Sequence, residues 1–426
     1  MQIEVIDRSE TLWSIAGKYG TSVEDIVRIN ELSDPNKLVI GQTVLVPAQV
    51  RTHRVKAGES LWSISRKYQV PMQAIAQLNG LSTTSVLIAG TVLRIPEGPK
   101  RTIEVNGYLQ ISGTEKDSRL VASTAEAMTY FTLFSYRADM SGNLSPLQDD
   151  LALAAIRNTD AVPMMCVTNI QEGAFSAEVT QAIFASSAVR EKLVNNIAAT
   201  MNQKGFFAVN IDFEFIKPED REDYLTFLRE LVARAKADGH LVSVAMAPKT
   251  SAAQVGQWYE AHDYAAIGGI VDFAIIMTYE WGWSGGPPMA VAPIPQVRKV
   301  LDYAVSVIPR NKIMMGAPLY GYDWTLPYVK GGKFAKALGI QEAVDLAWRV
   351  GAVIQFDHTA QAPFFRYYDA DRKEHIVWFE DARSMDAKFD LIDEYGLRGI
   401  SYWALGKPFP QNWELLKDRF TIRKYK

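Results

Sequence analysis

Short apolar runs alternate with amphipathic segments from residue 103 almost to the end of the chain. Most of the runs are separated by segments of helical periodicity, among them residues 219–239 and 294–309. The runs are residues 103–109, 130–136, 161–167, 206–215, 241–248, 271–279, 312–320 and 399–405. Strand and helix repeated eight times predict an α/β fold, a (β/α)8 TIM barrel. A doubly wound open sheet is the alternative, but no glycine-rich phosphate loop follows the first run.

The segment between the seventh and eighth runs is too long for one crossover helix. Residues 325 to about 380 contain an aromatic stretch, an Asp-rich turn and a second apolar stretch. We therefore expect a small α+β, hairpin-like insertion between strands 7 and 8. Insertions on the C-terminal face of a barrel usually form one wall of the cleft.

The first hundred residues contain an internal repeat with a period of 49. Residues 10–47 and 59–96 match in register at the positions Leu12, Trp13, Ser14, Ile15, Lys18, Tyr19, Ile26, Asn30, Leu32, Gly41 and Pro47. Each copy predicts a strand, two short helices and a closing strand, a βααβ unit. With the polar, Pro- and Gly-containing residues 97–101 as a boundary, the expected domains are 1–49, 50–98 and 99–426.

The run FFAVNIDFEF, residues 206–215, carries a polar side chain at every second position near its end. Because side chains alternate between the faces of a strand, Asn210, Asp212 and Glu214 should point into the barrel. The opposite face should pack under the helices and comprises Phe207, Val209, Ile211, Phe213 and Phe215. Unpaired carboxylates are costly to bury, so this inward row predicts either a reaction centre or a structural hydrogen-bond network.

Glu214 lies nearest the C-terminal end of this strand, where barrel active sites are found. Asp212 lies two residues earlier, about 6.6 Å along an extended strand. Two carboxyls this close repel each other when both are ionised, so the pKa of one should rise. We expect Glu214 to be protonated near neutral pH and to act as a general acid.

Composition and charge exclude several classes of function. The formal net charge is −3, with no basic excess for binding nucleic acid or an anionic membrane surface. The single cysteine, Cys166, lies in an apolar run and is expected in the core. The five histidines are scattered, so we expect no metal site and no cofactor. We find neither a secretory signal at the N-terminus nor an apolar run of the ~18 residues that a membrane span needs.

Both copies of the repeat resemble the LysM module over their whole length. This resemblance implies binding of N-acetylglucosamine-containing glycans, chitin or peptidoglycan, in a shallow groove between two loops. These loops are residues 7–11 with 34–38 in the first copy, and 56–60 with 83–87 in the second. The copies differ in these loops, since the first has Ser9 at the position where the second has Gly58. One copy is therefore expected to bind glycan more weakly. The alternative is that the repeats are spacers or docking modules for another protein.

The chain after residue 101 resembles family 18 of the glycoside hydrolases. Residues 207–214 resemble the family signature DGxDxDxE, with Asp212 and Glu214 at its last two acids. Phe207, Ala208 and Asn210 depart from the signature. Asn210 matters most among these, because an Asp there would help to set the ionisation of Asp212, whereas an Asn can only form hydrogen bonds.

Later runs carry further matches to this family. The run IIMTYEWGW resembles the family's M-x-Y-D strand, which places Tyr279 on the substrate acetamido carbonyl and puts Glu280 in place of the usual Asp. The run GAPLYGYDW places Tyr320 and Asp323 near the sugar, and Trp403 matches the residue that forms the floor under the −1 sugar. The substrate-binding residues expected from the resemblance are Asn210, Glu280, Trp281, Tyr320, Asp323 and Trp403.

The resemblance implies a substrate-assisted reaction that retains the anomeric configuration. Glu214 protonates the glycosidic oxygen, and the acetamido carbonyl oxygen of the substrate attacks the anomeric carbon to give an oxazolinium ion. Asp212 orients the acetamido N–H, and Tyr279 holds its oxygen. The reacting sugar must then be N-acetylated.

The whole arrangement resembles the cortex-lytic enzymes of spore-forming bacilli. It implies a monomer that hydrolyses β-1,4 bonds after N-acetylglucosamine in spore cortex peptidoglycan during germination. Such a protein is made in the mother cell without a signal peptide and deposited on the spore coat or cortex. A chitinase and a non-catalytic glycan-binding coat protein remain alternative hypotheses.

Overall fold

Eight parallel strands close into a barrel in the computed structural model, which describes residues 1–48, 51–68 and 70–426. The strands, labelled β1 to β8, are Arg101–Gln110, Tyr130–Arg137, Val162–Thr168, Ala208–Asp212, Leu241–Met246, Phe273–Ile276, Ile313–Pro318 and Gly399–Trp403. Each strand pairs with the next, and β8 pairs with β1. The predicted TIM barrel is confirmed, and its closure excludes the open sheet.

Helices surround the barrel, and capping residues define where they begin and end. They are Glu115–Thr124, Asp150–Arg157, Ala177–Phe184, Ser187–Lys204, Arg221–Ala237, Tyr264–Ile270, Ile294–Val307, Ala382–Tyr395 and Pro410–Arg419. The hydroxyl of Ser186 accepts a hydrogen bond from the Val189 amide to cap the longest of them. Gly205 ends that helix at φ 76°, a left-handed conformation that glycine adopts without steric cost.

Apolar side chains form separate layers inside and outside the barrel wall. The inner layer includes Tyr108, Tyr130, Met164, Phe273 and Met314, and it contains the fully buried Cys166. The outer layer joins the strands to the helices in one continuous core. Cys166 therefore lies in the core, as predicted.

A five-stranded antiparallel sheet with one helix is inserted between β7 and β8. Its strands are Tyr320–Thr325, Lys336–Gly339, Gln355–Asp357, Ala362–Tyr368 and Glu374–Trp378, and its helix is Ile340–Val350. The insertion contacts the loop that follows β6, since the Trp324 indole N–H donates to the Gly286 carbonyl at 2.9 Å. The predicted α+β insertion is present and is larger than a hairpin.

Each N-terminal repeat folds as a βααβ unit, as predicted. The elements are Gln2–Val5, Leu12–Tyr19, Val23–Asn30 and Thr43–Val46 in the first repeat, and Arg51–Arg54, Leu61–Tyr68, Met72–Leu78 and Val92–Ile95 in the second. The predicted boundary at residues 49 and 50 lies outside the described residues, and the other domain limits stay predictions.

The two repeats contact the barrel in different ways. In the first, Leu45 is fully buried and shares the outer core of the barrel with Ile29 and Val39. The equivalent residue of the second repeat, Arg94, is exposed. The second repeat instead contacts the barrel through ion pairs, such as Lys67 with Asp390 at 2.8 Å.

The described part of the chain contains no helix that combines the length and apolar character needed to cross a membrane.

Candidate active site

Strand β4 carries polar side chains into the interior of the barrel. Asn210 is fully buried there; its Oδ1 accepts a hydrogen bond from the Tyr108 hydroxyl at 2.8 Å, and its Nδ2 donates to the Ser243 hydroxyl at 2.9 Å. Val209 and Ile211, on the other face, lie in the core beneath the helices. The predicted alternation is therefore present in the centre of the run.

Both ends of the run depart from that alternation. Phe207 packs against the inner layer of the barrel, with its ring 4.7 Å from that of Tyr425. Phe215 has φ 56° and is 40% exposed, and it stacks on Trp258 at 6.2 Å. The prediction that both rings pack under the helices was wrong, because β4 spans only Ala208–Asp212 and side chains alternate only where the backbone is extended.

Asp212 is 5% exposed and lies at the C-terminal end of β4. Among the described residues, nothing forms a hydrogen bond with its buried Oδ1. Burial raises the pKa of Asp212 to about 7. A buried acceptor without a partner is unfavourable by about 1–3 kcal/mol, so this oxygen is available to a donor supplied by a ligand.

Glu214 lies two residues beyond Asp212 and shares its environment. Burial and the charge of Asp212 raise the pKa of Glu214 well above its ordinary value. The Trp258 indole N–H lies near this carboxyl, outside the geometry of a normal hydrogen bond, and opposes part of the rise. The net rise favours the protonated form of Glu214, which is the form that a general acid requires.

Asn169 fixes the backbone of Glu214. Its Oδ1 accepts from the Glu214 amide at 3.0 Å, and its Nδ2 donates to the Glu214 carbonyl at 2.8 Å. Asn169 follows directly after β3 and is fully buried. Sequence reasoning missed this residue, although its position after a barrel strand was a usable signal.

Tyr279 and Glu280 follow β6 and lie on the same face of the barrel. Burial and the charges of Asp212 and Glu214 raise the pKa of Tyr279 well above its usual range, so its hydroxyl remains a donor. Glu280 accepts hydrogen bonds from Tyr320 and, at 3.0 Å, from Tyr322. Burial raises the pKa of Glu280, although these two hydroxyls oppose the rise.

Two tryptophans named from the sequence border the same region. Trp403 ends β8 and contacts Tyr108 edge-on at 5.4 Å, directly beside the network of Asn210. Trp281 follows Glu280 and is partly buried against the outer core. Tyr322, which shares a strand face with Tyr320, was not singled out from the sequence.

Asp323 does not join this group. It lies on the opposite face of its strand from Tyr320 and Tyr322. There it accepts hydrogen bonds from the Tyr367 hydroxyl at 2.7 Å and pairs with His375 Nδ1 at 2.8 Å, inside the inserted sheet. Charge interactions and hydrogen bonds bring together Asp212, Glu214, Tyr279, Glu280 and Tyr320, and Asn210 and Trp403 reach this group through Tyr108. Asp323 lies outside it.

The described residues contain no group of three or more His, Cys, Asp or Glu side chains placed to hold a metal ion. The arrangement instead offers a carboxyl whose protonated form is favoured, a buried acceptor and a tyrosine hydroxyl on one face. Such a set can protonate a leaving oxygen while it holds an amide by both its N–H and its carbonyl.

Comparison with known proteins agrees with this geometry. The family model for glycosyl hydrolases family 18 matches residues 169–407, and the LysM domain model matches residues 5–47 and 53–96. A cortical fragment-lytic enzyme of Bacillus subtilis is 52% identical over 100% of this chain and 99% of its own length.

Solved structures show the same architecture. The Bacillus cereus spore cortex-lytic enzyme SleL superposes with a TM-score of 0.92 at 42% identity, covering 99% of this chain and 98% of that one. A chitinase from Chromobacterium violaceum covers 74% of this chain and 98% of its own, with a TM-score of 0.68 at 26% identity. The chain is thus a glycoside hydrolase that belongs to family 18 and carries two LysM domains at its N-terminal end.

Proposed function

We propose that the protein hydrolyses the β-1,4 bond after N-acetylglucosamine in spore cortex peptidoglycan, with retention of configuration. The observation that carries this proposal is the buried Asp212 Oδ1 without a hydrogen-bond partner among the described residues, close to Glu214, whose protonated form is favoured by burial. A 2-acetamido group offers the N–H that this oxygen lacks.

In the first step Glu214 donates its proton to the glycosidic oxygen as the bond to the anomeric carbon breaks. The acetamido carbonyl oxygen of the same sugar attacks that carbon and forms an oxazolinium ion. Asp212, in its ionised form, accepts the acetamido N–H and stabilises the developing positive charge. The Tyr279 hydroxyl donates to the acetamido oxygen and holds it on the attacking side.

In the second step the Glu214 carboxylate takes a proton from water, and the water oxygen attacks the anomeric carbon. The ring of the oxazolinium ion opens and the acetamido group is restored. Two inversions give net retention. Asn169 holds the Glu214 backbone through both steps, so that one carboxyl serves as acid and then as base.

Relatives support peptidoglycan as the substrate. Two curated relatives that match over the full chain are named cortical fragment-lytic enzymes, and the LysM domains belong to a class that binds glycans containing N-acetylglucosamine. The same relatives support a location in the spore. Chitin hydrolysis is the second candidate, favoured by the 26% identity to a solved chitinase.

The first test replaces Glu214 with Gln. Loss of the transferable proton should lower kcat on purified cortex fragments by about 10³-fold or more, while circular dichroism and glycan binding stay unchanged. Glu191→Gln, on the helix Ser187–Lys204, is the matched control and should keep full activity. Mass spectrometry of wild-type products should show reducing-end N-acetylglucosamine from cortex; activity on colloidal chitin alone would refute the proposed substrate.

A further inference from the structure

A cavity of about 430 Å³ opens beside the reaction centre. One wall is the loop that follows β5, from Pro248 to Tyr259, and the other consists of Trp281, Gln296 and Lys299. The last two belong to the helix Ile294–Val307. The catalytic residues do not line this cavity, so none of the reaction steps above uses it.

The cavity adjoins the catalytic residues on two sides. Tyr259 contacts Trp258 at 5.4 Å between ring centroids, and Trp258 lies against Glu214. Trp281 directly follows Glu280 in the chain. This position would allow the cavity to receive the sugar next to the one that reacts, or a substituent on that sugar.

The charge of the cavity differs from that of the reaction centre. Its lining contains no Asp or Glu and includes the exposed cation Lys299. Lys299 forms no ion pair with any residue that the structure describes. Asp212, Glu214 and Glu280, by contrast, concentrate carboxyl groups in the adjoining centre. Lys299 is therefore a counter-ion for an anion that binds in this cavity.

The cavity wall also contains an unmatched acceptor. Gln296 Oε1 is buried, and no hydrogen bond reaches it from the described residues. A ligand N–H would remove the resulting penalty, as an amide of a peptide substituent does. Thr250 supplies a hydroxyl on the opposite wall.

We propose that this cavity receives the carboxylate-bearing substituent of the sugar adjoining the cleaved bond, with Lys299 as its counter-ion. The inference rests on the proposed function and names the feature that separates peptidoglycan from chitin. In peptidoglycan, the neighbour of N-acetylglucosamine is muramic acid, whose 3-O-lactyl group ends in a carboxylate or continues into an acidic peptide. Chitin is neutral at every sugar.

The test compares kcat/KM on four soluble substrates. These are a peptide-free tetrasaccharide with free lactyl carboxylates, its methyl ester, the same tetrasaccharide with its peptide, and chitotetraose. The variants are Lys299→Gln and Lys299→Glu. The control is Lys236→Glu, an exposed lysine near the end of the helix Arg221–Ala237, which runs back to the N-terminal side of the barrel.

The measured quantity is the ratio of kcat/KM on an acidic substrate to kcat/KM on chitotetraose. Lys299→Gln should lower this ratio about threefold and Lys299→Glu about tenfold or more, because the second change also repels the carboxylate. With the methyl ester the ratio should be the same for wild type and both variants. Lys236→Glu should match wild type throughout.

A fall in the ratio on the peptide-free substrate assigns the contact to the lactyl carboxylate, and a fall only on the peptide-bearing substrate assigns it to the peptide. Equal ratios for Lys299→Glu and wild type on both acidic substrates would overturn the inference while leaving peptidoglycan hydrolysis intact. A wild-type protein that cleaves chitotetraose and neither acidic substrate would overturn the proposed function and this inference together.

Discussion

Asn210 occupies the position at which the family signature has an acid, and the structure shows what it does there. Its amide accepts from Tyr108 and donates to Ser243, so both ends of the side chain are satisfied without a charge. Asp212, two residues further along the same face, has a pKa of about 7 because of its burial alone. Position 210 therefore contributes no ionisable group to the interior of the barrel.

Asn210→Asp should move the pH dependence of kcat/KM. The proposed mechanism requires ionised Asp212 and protonated Glu214, so kcat/KM should rise with pH as Asp212 loses its proton. A second carboxyl at position 210 repels the ionised form of Asp212, raises its pKa further and moves the acidic limb upward by about 0.5–1 pH unit. Initial rates of the wild type and of Asn210→Asp, measured between pH 4 and 9, give the position of this acidic limb.

Ser243→Ala is the matched control for this change, because it removes a hydrogen bond from Asn210 without adding a charge. Its acidic limb should stay at the wild-type pH. A limb that moves to lower pH in Asn210→Asp would contradict the proposed role of Asp212.

At the scale of elements, local pattern predicted the number of barrel strands correctly, whereas it did not predict several side-chain positions. Apolar runs locate all eight barrel strands, because a strand buried on both faces must be apolar over its length. The alternation rule failed at Phe207 and Phe215, where the chain leaves the extended conformation. Asp323 pairs with Tyr367 and His375 from other strands of the insertion, and no local pattern reports such pairing.

Asn169 links the ends of two neighbouring barrel strands, and this link can be tested. Asn169→Ala removes both hydrogen bonds to the Glu214 backbone. We expect kcat to fall about 10–100-fold with KM changed less than about threefold, because the acid is displaced while the sugar contacts remain. Asn196→Ala, which removes one hydrogen bond to the Gly142 carbonyl on the outer helices, is the control. A proportional rise in KM would assign Asn169 to substrate binding instead.

Across the whole molecule, the two LysM repeats differ in how they join the barrel despite their common fold. The strand Thr43–Val46 is buried along its whole length, since Leu45 faces the barrel helices while Val44 and Val46 face the core of the repeat. The strand Val92–Ile95 alternates, with Leu93 inward. Loops of the first repeat also contact the insertion, where the Ile354 amide donates to the Ile40 carbonyl at 2.9 Å.

These contacts leave no space for a side chain at Gly41, which follows Ile40. Gly41 has φ 85°, and a Cβ atom there would lie 1.8 Å from the Ile354 carbonyl oxygen. The first repeat therefore packs closely against the insertion. The insertion in turn contacts the loop after β6. Because the first repeat packs against the barrel through apolar side chains, it should unfold together with the barrel. The second repeat is joined to the barrel by ion pairs, which are weaker, so it should unfold by itself.

Leucine-to-alanine substitutions in the two repeats test this difference. Leu45→Ala empties a site in the core shared with the barrel and should destabilise the barrel by about 2–4 kcal/mol. Leu93→Ala opens a similar cavity in the separate core of the second repeat and should leave the barrel transition in place. Calorimetry, with residual hydrolytic activity measured after each heating step, shows whether each variant lowers the unfolding temperature of the barrel. If Leu45→Ala lowers only a minor transition and activity survives to the wild-type temperature, the first repeat is an independent module like the second.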